Sequence, residues 1–406
     1  MRVENTTVLI IGAGPAGSVA AGILKQHDIP TIVVEKEKFP RFVIGESLLP
    51  RCMEAFQEAG FMDDLEQQGF QEKNGAFFIR DDDICDFSFE TQFTKGWNKT
   101  WQMQRARFDK CLTDNLEKRG VDLRFQHTVQ SITFEGSDST TTIINEEGEE
   151  FQIKARFIMD ASGYGRVIPR LFQLDRPSEL PPRKTLLVHL KDPNRQQYQQ
   201  PDRIHVIVQQ LQTWIWLIPF SDGTTSVGFV SNPDYFEGLH GSTEEQMRTL
   251  IEREPMIRER FADVEFLFEP RFLSGWSVTT EKFYGDGYVL TGNVTEFLDP
   301  VFSSGVTLAA VSSSLAANLV VKMMNGGEVD WDMDYMVPME EGVDVFRTYV
   351  NAWYNGDLQK IFFSNRIEES IKAQICSVLA GYVWDYSNPF VRKHKERVEG
   401  LAQMIE

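Results

Sequence analysis

The chain has 406 residues, 42% hydrophobic and 25% charged, the balance of a globular protein large enough for two interlocked domains. A formal net charge of −19 disfavours nucleic acid or an anionic membrane as partner, although an anionic ligand would still need a local basic patch. Four scattered cysteines (Cys52, Cys85, Cys111, Cys376) and six histidines without ligand spacing argue against a metal site or a disulfide framework, and fit a reducing cytoplasm. There is no uninterrupted run of eighteen apolar residues to suggest a membrane span, and the chain enters its first strand almost at once, leaving no room for a signal peptide.

The first 35 residues are the most informative. Thr7 to Ile11 reads as a buried strand, Gly12-Ala-Gly14-Pro15-Ala16-Gly17 as a turn opening a helix, and Thr31 to Glu35 as a second strand ending in an acid. This is the layout of a dinucleotide site. Gly12 permits the tight turn, Gly14 lets the backbone approach a pyrophosphate, and Gly17 lets helix and strand pack closely. The helix N-terminus offers amide donors to phosphate. Glu35 suits an unphosphorylated ribose and repels a 2′-phosphate.

Further along, 48–68 is expected to be helical, with Met53, Phe56, Phe61 and Leu65 on its apolar face, and 108–118 forms another helix before a strand at 121–125. Short strands follow at 128–134, 140–144 and 151–157, the last running through Asp160-Ala-Ser-Gly163 back into the first domain. Residues 184–230 hold at least four strands of a second, mostly antiparallel sheet. A helix is expected at 243–262, a strand and turn at 288–293, and a long apolar helix at 305–324 stopped by Asn325-Gly-Gly. The final 75 or so residues are mainly helical and rich in aromatics. The nucleotide domain is therefore discontinuous: 1–80, 100–170 and 280–330, with 81–99 and 171–279 forming the second domain and 331–406 a helical region.

At Asp160-Ala-Ser-Gly163 and Gly285 through Asn293 the chain resembles the FAD-dependent hydroxylase and geranylgeranyl reductase superfamily. The resemblance implies an α/β fold: a Rossmann-like FAD-binding domain of the GR2 type interleaved with an antiparallel substrate domain. It places FAD against Gly12, Gly14, Pro15, Ala16 and Gly17 at one end, with Glu35, Lys36 and Arg41 beside them. Ser47, Arg105, Asp160 and Gly163 are expected further along the cofactor, and Gly292, Asn293, Pro300, Gly305 and Val306 near the flavin ring. Asn293 stands where the family usually has Asp and brings no charge. Arg105 equally fits a solvated arginine at a helix start.

Two further motifs resemble the flavin-dependent halogenases. Trp214-Ile-Trp216-Leu-Ile218-Pro219 matches their WxWxIP signature, and strand alternation puts Trp214, Trp216 and Ile218 on one face. Two indoles there either wall a substrate chamber or simply pack across strands. Gly45-Glu46-Ser47-Leu48-Leu49-Pro50, followed by 69–76, is similar to the phenol- and pyrrole-type branch, in which a lysine at the place of Lys73 is catalytic; most lysines, by contrast, are solvated surface groups. Phe297 through Gly305 matches the segment beside the flavin, with Ser304 and Gly305 as the expected halide site.

The resemblance implies an FADH2- and O2-dependent halogenase. It would act through a flavin C4a-hydroperoxide and hypohalous acid on an electron-rich aromatic, a phenol or pyrrole, free or tethered to a carrier protein. Chloride or bromide is the implied co-substrate. The lack of a second nicotinamide fingerprint fits reduced flavin from a separate reductase. The alternatives left open are a monooxygenase or geranylgeranyl-reductase-like oxidoreductase without halide chemistry, and a flavin-binding protein without catalysis.

Overall fold

A run such as Val8-Leu-Ile-Ile11 has no polar face, so both sides of the strand it forms must be covered, the situation of a parallel sheet sandwiched by helices. A computed structural model, which describes residues 2–405, shows that sandwich. Val3–Ile11 lies between Thr31–Glu35 and Glu150–Asp160, parallel to both. Asp122–Phe125 extends the sheet beyond Thr31–Glu35, and Tyr288–Leu290 extends it beyond Glu150–Asp160. Val8 and Ile10 enter the main core, whereas Leu9 and Ile11 enter a separate cluster on the opposite face. Glu150–Asp160 is one eleven-residue strand, longer than the expected 151–157. Its first half also pairs antiparallel with Asp138–Ile144, which pairs in turn with Thr128–Glu135.

The second sheet has seven strands, antiparallel except where Ile204–Gln210 runs parallel to Gly75–Arg80. The latter strand falls in the stretch 1–80 expected for the nucleotide domain, yet it belongs here. Phe77 and Ile79 enter the core under this sheet's outer helices, while Ala76 and Phe78 enter the main core, so both faces find apolar cover.

Local chemistry explains the other boundary differences. The helix expected over 48–68 is two, Cys52–Glu58 and Met62–Glu66, divided at Gly60, whose φ of +82° is left-handed. The helix expected over 243–262 is also two. Ser242 and Glu245 form a capping box at its start, and Glu254, in extended conformation before Pro255, ends Thr243–Arg253 and caps Pro255–Phe261. Arg105–Lys118 begins a turn earlier than expected, and the long helix is Ser304–Met324. By length and composition that helix is apolar enough to cross a membrane, but 72% of its most apolar window is buried inside the protein, where it packs on Pro15–Gln26 and Cys52–Glu58. Of the C-terminal helices, Val337–Asn355 and Asp357–Phe362 press Trp353 and Phe362 onto Phe78 of the second sheet, with ring centroids 5.6 and 4.8 Å away.

Candidate active site

Between the two sheets lies a cavity of about 540 Å³. One end is the glycine turn. Gly12 has φ +98°, and a Cβ there would lie 2.6 Å from the Ala161 carbonyl; a Cβ on Gly17 would lie 1.9 Å from the Gly12 carbonyl. Both positions are therefore closed by backbone. Gly14 differs: it lines the cavity, and a Cβ there would meet only Arg41 Nη2, at 3.6 Å. Glu35 also lines the cavity. Its carboxylate accepts from the amides of Ala13 and Glu37, each at 2.9 Å, so the acid is fixed against the turn.

Arg105 is 7% exposed, which rules out the solvated reading. Its Nε and Nη2 donate to Asp109 at 2.8 and 3.0 Å, and Nη1 donates to the Ile44 carbonyl at 2.8 Å. Arg41 donates to the same Asp109, at 2.9 Å. One carboxylate thus holds two guanidinium groups that line the cavity, and the trio carries one net positive charge. Lys36 and Arg271 line it as well. These four cations offset Glu35, Glu37 and Glu46 of the same lining, so the positive groups an anionic ligand needs are gathered in one place inside an acidic protein.

The other end is aromatic. Trp214, Trp216 and Ile218 line the cavity while Ile215 and Leu217 face the outer core, as strand alternation requires. The two indole centroids are 5.9 Å apart. Trp216 lies over Gly228 of the neighbouring strand, where a Cβ would come within 2.1 Å of the ring, and its Nε1 donates to Ser226 at 3.0 Å. Opposite them, Pro300, Val301, Ser303, Gly305 and Val306 line the cavity at the start of the long helix. Ser303 has a left-handed φ of +57°, which turns the chain into that helix.

Lys73 sits in a small patch of extended chain. Leu48 N–H donates to the Trp101 carbonyl, Thr100–Gln102 pairs with Gln71–Lys73, and the lysine Nζ reaches across to donate to the Leu48 carbonyl at 2.8 Å. The side chain is 2% exposed and, among the described residues, has no carboxylate partner. Burial pulls its pKa from 10.5 down to about 7, partly opposed by Cys52. Burial pushes the Cys52 thiol up to about 12, so it supplies no counter-charge near neutrality.

Residues 5–318 match the FAD binding domain family. The chain belongs to that family. This flavoprotein is 28% identical, over 81% of its own length and 80% of the relative's, to a 1H-pyrrole-2-carbonyl peptidyl-carrier-protein brominase of Pseudoalteromonas luteoviolacea. It spans 65% of longer fungal halogenases. Its fold matches the crystal structure of a Cytophaga hutchinsonii flavoprotein/dehydrogenase with a TM-score of 0.97 at 52% identity, covering 99% of both chains. It also matches the myxobacterial chondrochloren halogenase, with a TM-score of 0.77 at 27% identity over 99% of this chain and 97% of the other. The flavoprotein is an FAD-dependent oxidoreductase that groups with the flavin-dependent halogenases.

FAD fits the cavity: a Cβ-free approach at Gly14, a helix N-terminus, two guanidinium groups and a fixed acid lie along one wall. Of the expected contacts, Pro15, Ala16, Lys36, Ser47, Gly163 and Asn293 also line it. Six expected residues are not part of the lining. Gly12, Gly17 and Gly292 shape turns behind it; Gly292 N–H is held by Ser312 at 2.8 Å. Asp160 is wholly buried outside the lining, and its two oxygens accept from the amides of Ser162 and Ile168, which fixes the turn. Ser304 is buried behind Ser303, which takes its place in the lining. Lys73 is also outside the lining, one residue behind Ser47 by way of the Leu48 carbonyl. Sequence reasoning missed Glu46, which faces the cavity with an oxygen 2.6 Å from His189 Nε2, and it missed Tyr164 and Arg271. Glu46 lies within the GESLLP string; the other two belong to no motif.

Proposed function

We propose that this flavoprotein halogenates an electron-rich aromatic, a phenol or pyrrole, free or carrier-tethered, using chloride or bromide and reduced flavin from a separate reductase in the cytoplasm. The observation that carries the reading is Lys73: a fully buried amine with no counter-ion among the described residues, anchored on the halogenase-like GESLLP segment. Reduced FAD, when bound, supplies the electrons by which O2 becomes an oxidant for halide.

The protein's own groups divide the remaining work. Gly14, Arg41 and Arg105 hold the diphosphate, and Glu35 holds the ribose. Amides at Ser303 to Gly305, at the positive end of the long helix, receive the halide. Trp214 and Trp216 keep the aromatic acceptor away from the flavin ring. Lys73, one residue behind the Ser47 lining, uses one N–H on Leu48 and keeps its remaining N–H for hypohalous acid that passes this wall. Attack by the ring on the halogen then breaks the O–X bond, forms the C–X bond and releases water. An exposed basic run, Arg392, Lys393 and Lys395, suits an acidic carrier domain.

The test is incubation with FAD, a flavin reductase, NADH, bromide and a panel of phenols and pyrroles, followed by mass spectrometry. A bromine isotope doublet is the expected product. Oxygen insertion or double-bond reduction with no doublet would assign the protein to the monooxygenase or reductase alternative.

A further inference from the structure

The loop that starts the long helix is held by groups not used in the scheme above. Asp299 is buried; its Oδ1 accepts from the Val301 amide at 3.0 Å, capping the turn Pro300–Phe302. Its Oδ2 accepts from the Tyr354 hydroxyl at 3.0 Å, and that hydroxyl in turn accepts from Trp214 Nε1 at 3.0 Å. One phenol therefore ties together three separate elements: the indole wall, the flavin-side loop and the C-terminal helix Val337–Asn355. The Arg183 guanidinium lies 3.8 Å from the Tyr354 ring centroid. Its terminal nitrogens donate to Asn232 and Gln212, which holds it over the ring. Trp214, Pro300, Val301 and Ser303 all face the cavity.

We propose that Tyr354 and Asp299 form a positioning pair that sets the loop amides of Ser303 to Gly305 against the indole wall, and that couples halide entry to uptake of a proton by Asp299. The inference rests on the reading of that loop as the halide site. The mechanical part follows from connectivity: Asp299 caps the turn that leads directly into Ser303, so whatever fixes the carboxylate fixes the amides. The electrical part follows from charge. A buried carboxylate on the same loop repels a halide while ionised and ceases to do so once protonated. The titratable and charged groups facing Asp299 are Tyr354, which burial keeps neutral, and Arg183, which favours the anion. Burial outweighs the Val301 amide, the Tyr354 hydroxyl and Arg183, and pushes the Asp299 pKa up to about 6. Halide affinity accordingly rises as pH falls through about 6.

Bromide titration of the FAD-loaded protein, read from the shift of the flavin absorption band between pH 5 and 8, tests this without turnover. In the wild type the dissociation constant is expected to weaken by at least about tenfold from pH 5 to 8, the span over which Asp299 ionises. Asp299→Asn keeps an acceptor for Val301 without the charge, and should hold the pH 5 affinity at every pH. Tyr354→Phe keeps the ring under Arg183 but frees both partners of the hydroxyl, and should weaken bromide about tenfold at pH 5, with FAD affinity unchanged within twofold. Bromide affinity independent of pH in the wild type, or unchanged in Tyr354→Phe, overturns the pair while leaving the halide site in place. A flavin spectrum that bromide never alters overturns the halide reading, and this inference with it.

Discussion

Replacing Lys73 with Met separates the cost of the buried amine from its use. Methionine is of similar length, apolar and flexible enough to fill the slot between Leu48 and Phe89, whose ring centroid is 5.7 Å from Nζ. Moving an amine from 10.5 to about 7 by burial corresponds to about 5 kcal/mol of disfavoured protonation. The hydrogen bond to Leu48 returns about 1 kcal/mol of this. Below pH 7 both folded and unfolded chains carry the proton, and the whole cost is felt. Between pH 7 and 10.5 the unfolded chain binds the proton that the folded one has lost, so wild-type stability rises with pH across that window. Lys73→Met should therefore be more stable than the wild type by about 2–4 kcal/mol at pH 6.5, a gap that closes by pH 10. Urea unfolding of both proteins at four pH values reads this difference, and the titrations they share cancel. The same variant should make no brominated product while still oxidising NADH and releasing hydrogen peroxide. A variant no more stable than the wild type at pH 6.5 would refute the desolvated amine; a variant that still brominates would refute its role.

Asp109→Asn leaves the guanidinium groups of Arg41 and Arg105 facing each other without their shared carboxylate, and should cost about 3 kcal/mol. Because the diphosphate then becomes their counter-charge, the rise in thermal midpoint on adding FAD should be larger in the variant than in the wild type. Gly17→Ala puts a methyl 1.9 Å from the Gly12 carbonyl, and FAD should be lost on desalting, read as the fall in 450 nm absorbance of the eluted protein. Gly228→Ala drives a methyl into the Trp216 ring at 2.1 Å, at a cost of about 1–3 kcal/mol. With the indole displaced, peroxide release per NADH should rise and product per NADH fall.

How much of this was legible in the sequence depends on how local each signal is. The glycine turn, its flanking strands and Glu35 sit within 35 residues, and spacing alone conveys their arrangement. The indole face of Trp214 and Trp216 followed from the two-residue repeat of a strand. The long helix followed from its apolar run and glycine stop. Gly75–Arg80 was parted from its sheet at residue 80 although it forms a hairpin with Asp83–Ser88, because an evenly apolar strand does not name the sheet it joins and its other partner, Ile204–Gln210, lies more than a hundred residues away. Asp160 and Ser304 sit within turns whose neighbouring residues line the cavity, but which residue of a turn faces inward is decided by backbone angles such as the left-handed φ at Ser303. Tyr354 and Arg183 belong to no motif. Only the folded chain brings a C-terminal helix onto an indole from the second sheet.

The charge distribution supplies the last link between fold and site. A chain of net −19 would repel a diphosphate if its charges were spread evenly, since like charges act over about a Debye length, roughly 10 Å at moderate salt. The helix Arg105–Lys118 resolves the conflict in its first turn. Arg105 and Asp109 lie four residues apart on one face, so the helix itself fixes their spacing and the bidentate contact. The acid then captures Arg41 from the segment after Thr31–Glu35, carrying a second cation to the mouth of the glycine turn. Two arginines against one aspartate leave one positive charge, oriented and partly desolvated, which counts for more at close range than many screened carboxylates on the surface. An acidic exterior is therefore compatible with a cavity in which Lys36, Arg41, Arg105 and Arg271 offset Glu35, Glu37 and Glu46, with the two arginines fixed in place by Asp109.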